Sequence, residues 1–203
     1  MTDLVVLVPD LNTEKGLQAL FRRCPDLGCR GFSVKLVRHP RRDSGVFKEA
    51  QDFLRPELRA SHYAIAVCDL EGCGREILGR DQIEIRIEER LRANGWDDRC
   101  CAIVIDPELE AWVWGDRNLL ASVTGWRDDS AHLENWLVDR QLVTRPGAKP
   151  ARPKETLERI LRQTAKRRSS SLYAEVADAI NVAGCQDQAF AKLLNTLRRW
   201  FPA

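Results

Sequence analysis

The first half of the chain repeats one pattern: a short uninterrupted apolar run, a polar loop, then apolar residues at helical spacing. Residues 4–8 form the first run. Five consecutive apolar positions suit a strand buried on both faces of a parallel sheet, because a half-exposed strand would alternate. The turn PDLNTEKG follows, and Leu17, Leu20 and Phe21 then recur at helical spacing up to Cys24-Pro25. Residues 32–37 read as a second strand and 46–58 as a helix. Residues 63–68 read as a third strand, broken by DLEGCGRE, and Ile83, Ile87 and Leu91 mark a helix ending at Asn94-Gly95. Residues 101–105 give a fourth strand, stopped by Asp106-Pro107, and 108–115 can start a helix with Leu109, Trp112 and Val113 inward.

Strands alternating with helices predict an α/β fold, a Rossmann-like, mainly parallel four-stranded sheet flanked by helices. In such sheets ligands sit outside the carboxyl ends of the strands, so the loops after the first and third strands are the ones to search. Beyond Trp126 the strand pattern stops. Residues 132–142, 154–168, 171–182 and 186–200 read as helices, with RPGAKPARP as a connector. The expected organisation is an α/β domain over 1–139 and a basic helical C-terminal extension over 140–203.

Charge sharpens this division. Residues 1–139 hold 19 Lys and Arg against 25 Asp and Glu, a net of −6, whereas residues 140–203 hold 13 against 5, a net of +8. An acidic body beside a basic end suggests a carboxylate site next to a surface that attracts polyanions. The start of the chain carries neither a basic leader nor an apolar stretch of membrane length, so a cytoplasmic protein with no membrane partner is expected. Seven cysteines in that setting are expected to be reduced thiols.

The loop after the first strand holds Asp10 and Glu14, and the loop after the third opens on Asp69-Leu70-Glu71. If the two strands are parallel neighbours, the four carboxylates meet at one end of the sheet. A hard divalent cation such as Mg²⁺ or Mn²⁺ is bound through one or two such carboxylates plus water and phosphate oxygens. The same residues also suit a plainer task, since Asn12-Thr13-Glu14 can cap the following helix.

These segments carry a resemblance. VVLVPDLNTE at residues 5–14 resembles the first motif of Toprim domains, in which a strand leads into Glu-Gly-x-Thr-Glu. DLE at 69–71 resembles the second, Asp-x-Asp. PELEAWVWGD at 107–116 is similar to a stretch found in small Toprim-like nucleases of bacterial phage-defence systems. Asp10 stands where that family has glutamate, Leu11 where it has glycine, and Glu71 where it has the second aspartate. The resemblance implies a Mg²⁺- or Mn²⁺-dependent nuclease. Asp10, Asp69 and Glu71 would be catalytic, and Asp10, Glu14, Asp69, Glu71 and Glu110 would be metal ligands. It also implies a role in antiviral defence and a partner protein such as a defence-system ATPase. The swaps leave open a silent subunit that binds nucleic acid or a partner protein.

For a nucleic-acid surface the candidates are Arg41 and Arg42 after the second strand, and Arg152, Lys154, Lys166, Arg167 and Arg168 in the basic segment. A solvated helix face is the alternative reading of that segment.

Overall fold

Leu4 to Val8 have no exposed surface, as the apolar run predicts, and they lie in the strand β1 (Thr2–Val8). The computed structural model describes every residue of the chain except 183 and 186. Strands β2 (Val34–Arg38), β3 (Ser61–Asp69) and β4 (Cys100–Ile105) join β1 in an all-parallel sheet of order β2-β1-β3-β4. The register sets Leu4 beside Val34 and Tyr63, and Asp69 beside Ile105.

Helices fill the crossovers. They are α1 (Leu11–Leu20) with the short α2 (Cys24–Leu27) before β2, α3 (Arg42–Leu54) before β3, and α4 (Gly79–Leu91) before β4. Leu4, Val6, Val8, Ile65, Val67, Ile103 and Ile105 face one side with α1. Val5, Leu7, Ala64, Ala66, Ala102 and Val104 face the other with α3 and α4. The alternation follows from the period of two along a strand. Because α1 lies on one face and α3 and α4 on the other, the winding reverses between β1 and β3. A crevice therefore opens at the carboxyl ends of those two strands.

Beyond β4 the chain is helical: α5 (Arg117–Thr124), α6 (Ser130–Asp139), α7 (Pro153–Gln163), α8 (Ser170–Ala179) and α9 (Gln188–Trp200). Helix α5 lies in a stretch that the sequence pattern left unassigned. Residue 186, where the last helix was expected to start, lies outside the described residues. Helices α8 and α9 are part of the sheet's first layer, with Leu172, Tyr173, Phe190, Leu193 and Leu197 sharing one core with β1 and β4. Asp187 caps α9 through the amides of Ala189 and Phe190 and also accepts from Trp112 Nε1 at 3.0 Å. Trp112, Trp114 and Trp200 are buried core residues, and Trp200 stacks on Tyr63.

Several boundaries moved for local reasons. Residues 108–115 form a 3-10 turn over Leu109–Gly115 rather than an α-helix. The helix expected at 154–168 stops at Gln163, and Ala165 then takes a left-handed φ of 55°. Helix α3 starts four residues before the expected 46, because its first turn is polar and carries no apolar period to read.

The outer edge of β4 is closed by side chains. Glu84 accepts from the Val104 amide at 2.9 Å and Glu88 from the Ala102 amide at 3.0 Å, while Lys192 Nζ bridges both carboxylates. Covering an edge in this way removes a template for strand pairing with another chain. No helix among the described residues is long and apolar enough to cross a membrane.

Candidate functional site

Asp69 is the last residue of β3 and Asp10 follows β1 by two residues, so the two acids flank the crevice at the winding reversal. An open cleft of ≈ 730 Å³ lies there. It is lined by the acids Asp10, Asp43, Asp69, Glu71, Glu108, Glu155 and Glu158 and by the bases Arg41, Arg42, Arg152 and Lys154.

Asp10 is the N-cap of α1. Its Oδ1 accepts from the Thr13 amide at 2.9 Å and the Thr13 hydroxyl at 3.1 Å, which leaves Oδ2 for the cleft. The capping role and the site role therefore coexist in one residue. Asp69 differs. Its Oδ1 is sealed from solvent and accepts no hydrogen bond, and burial, followed by the charges of Asp43 and Glu110, pushes its carboxyl well above the ordinary range. A sealed carboxylate oxygen with no donor is costly unless a proton or cation reaches it. Glu71 is exposed at the rim, held by its amide to Pro107 O at 2.9 Å.

Asp43 and Glu108, which the sequence pattern did not single out, line the cleft as well. Asp43, in the first turn of α3, accepts the Asp69 amide on Oδ1 at 2.8 Å, and burial raises its carboxyl above the usual value. Glu108 accepts the Lys154 amide at 2.8 Å at the start of α7, and burial raises it too. A carboxylate there is favoured by the helix dipole. The only signal in the sequence was their place after a strand or a basic loop, which many surface acids share.

The other expected ligands are placed elsewhere. Glu14 pairs with Arg38 at 2.8 Å and lines a neighbouring groove that shares only Asp10 and Arg42 with the main cleft. Glu110 is buried and occupied, accepting from Arg168 Nη2 at 2.6 Å and from the Tyr173 hydroxyl. Among the described residues no three His, Cys, Asp or Glu side chains converge into a cage for an ion. What the cleft offers is the sparser arrangement of one or two carboxylates with room for water and phosphate, which suits Mg²⁺. Asp69 and Asp10 fit that role by the unpartnered oxygen of the first and the hard oxygen chemistry of both.

The seven basic candidates also divide. Arg41, Arg42, Arg152 and Lys154 line the cleft. Arg41 pairs with Glu49, Arg152 with Glu155, and Lys154 Nζ stands 3.8 Å from Glu108. The Arg42 guanidinium makes no ion pair or hydrogen bond among the described residues, and its backbone holds a left-handed φ of 50°. Lys166 is bound to Val123 O and Glu175, and Arg168 to Glu110 and Glu158, so both serve the fold. Arg167 is exposed and does not line the cleft. Comparison with family models, curated proteins and solved structures found no match.

Proposed function

We propose that this chain is a divalent-metal-dependent, nuclease-like protein of Toprim-like type that acts on nucleic acid. The observation that carries this reading is the sealed, donorless oxygen of Asp69 beside Asp10, in a cleft also lined by Arg42, whose guanidinium has no partner among the described residues. Asp69 and Asp10 would hold the ion. A bound Mg²⁺ or Mn²⁺ supplies charge neutralisation on a phosphate and a more acidic water. Arg42 contributes a planar, permanently charged fork matched to two phosphate oxygens. Arg152 and Lys154, which also line the cleft, position the neighbouring backbone of a polyanion.

The test is incubation of the purified protein with single- and double-stranded DNA and RNA in Mg²⁺, Mn²⁺ or EDTA. Cleavage in at least one metal arm is expected, with none in EDTA and none for Asp10→Ala. Tight binding without cleavage in every arm would instead support the silent-subunit reading, which the occupation of Glu110 by Arg168 and Tyr173 favours.

Arg42 yields a separate expectation. A non-glycine residue in the left-handed region costs on the order of 1–3 kcal/mol, and such strain persists at functional positions. Arg42→Gly is expected to keep the fold as stable or raise it by up to about 1 kcal/mol, because glycine adopts that φ freely. Nucleic-acid binding is expected to weaken. The slope of log affinity against log salt should fall by roughly 0.7–0.9, as for one lost phosphate contact. Thermal melts and a salt series of binding isotherms check the two halves.

A further inference from the structure

Resting on the metal-site reading above, we infer that Asp43 is a positioning residue for that site, anchoring the end of β3 so that Asp69 presents its carboxylate to the cleft. Asp43 lies 26 residues before Asp69 on a different element, yet its Oδ1 accepts the Asp69 amide at 2.8 Å. Asp69 is where the sheet ends. Its amide is the last in the strand, and Leu70 and Glu71 already leave to bond Ile105 O and Pro107 O. Without Asp43 the β3 terminus would lose a side-chain hydrogen bond that ties it to α3.

The charges of Asp10 and Lys154 also act on Asp43. Its Oδ2 and Cβ face Gly72, whose φ of 95° lets the loop after Asp69 fold back past it; a Cβ on Gly72 would stand 3.7 Å from Asp43 Oδ2. Asp43 and Arg42 are adjacent, so the first turn of α3 places both an acid and a base at the cleft. The half-burial of Asp43 limits competition from water for this hydrogen bond. Groups that orient a metal-binding side chain from outside the coordination sphere typically change metal affinity by about 10–100-fold when removed.

The experiment compares wild type, Asp43→Asn and Asp43→Ala by Mn²⁺ titration followed by electron paramagnetic resonance, with hydrogen exchange at the Asp69 amide read alongside. Asn keeps an oxygen acceptor and drops the charge. The expected result is Mn²⁺ affinity within about 3-fold of wild type for Asp43→Asn and a loss of about 10–100-fold for Asp43→Ala. Protection of the Asp69 amide should be kept in the first variant and lost in the second. Wild-type affinity and protection in Asp43→Ala would overturn the inference while leaving the metal site standing. Equal loss of affinity in both variants, with the amide still protected in Asp43→Asn, would overturn it in favour of a direct charge effect. Absence of saturable Mn²⁺ binding by wild type would remove the metal-site reading and this inference with it.

Discussion

Replacing Asp69 with Asn is expected to make the protein more stable at neutral pH and to abolish its response to divalent cations. The side chain keeps its shape, but the buried charge is gone. In the folded protein, burial and then the charges of Asp43, Glu110, Asp10 and Glu108 make ionised Asp69 unfavourable, so its carboxyl holds its proton well above the ordinary aspartate value of 3.8. Folding therefore strengthens proton binding at this position, and by linkage protonation favours the folded state. The penalty is absent below the ordinary value, develops as pH rises from there through the raised folded value, and is fully present above it. Asp43 and Glu108, both raised by burial, act in the same direction.

The wild-type protein without added metal should thus gain stability from these three groups as pH falls from neutral towards the ordinary carboxylate range. Asp69→Asn should show a smaller gain. Neutralising such a site commonly adds about 0.5–2 kcal/mol, and each kcal/mol moves the midpoint by about 2–4 °C in a chain of this size. Mn²⁺ should raise the melting temperature of wild type, since a ligand that binds only the folded state stabilises it, and leave Asp69→Asn unmoved. Melting curves at several pH values, with and without Mn²⁺, decide the matter. A lower midpoint for Asp69→Asn at pH 7, or an equal Mn²⁺ shift in both proteins, would contradict the account of this carboxylate.

Gly45→Ala is expected to destabilise the fold, against the sign that helix propensity alone assigns. In an unhindered helix the change gains about 1 kcal/mol. Here a Cβ on Gly45 would overlap the His39 ring at Nδ1 and Cε1 and stand 2.9 Å from Arg41 Cβ. The ring is held by its neighbours. It is 2% exposed, packs on Phe53 at 4.5 Å between centroids, and accepts the Arg41 amide on Nδ1 at 3.1 Å. Burial, with the Arg41 charge adding to it, lowers the imidazole's proton affinity and favours the neutral form that this acceptor role needs.

Overpacking of this kind costs about 1–3 kcal/mol. The displaced segment is the turn that leads into Arg42 and Asp43, so two residues that line the cleft shift with it. Urea unfolding of Gly45→Ala against wild type measures the cost, and the titration described for Asp43 measures the effect on the site. A midpoint at or above wild type would show that the turn at His39 yields at little expense.

Much of the α/β frame was legible in the linear pattern. Residues 4–8 and 101–105 had to be strands buried on both faces, because neither run offers a polar position to turn towards water, and all their side chains are buried. Ile83, Ile87 and Leu91 marked α4 by spacing alone and are, with Glu84, the residues it buries. Asp10 and Asp69 were legible too, as carboxylates placed where strands end. Element boundaries were less so. The first turn of α3 is polar, and the 3-10 turn at Leu109–Gly115 shows the same inward Leu and Trp positions that an α-helix would.

The sequence by itself determined the strand–helix order and the acids at the strand ends, because burial period and chain reversal are local properties of a few neighbouring residues. Only the tertiary structure decided which charges meet. It joined Asp43 to Asp69 across 26 positions, turned Glu14 to Arg38, and closed Arg168 onto Glu110. It left the Arg42 guanidinium, which lines the cleft, without a partner among the described residues. Charge pairing is settled by which surfaces the packed helices bring within reach, and a carboxylate carries no mark in the chain of the cation it will face.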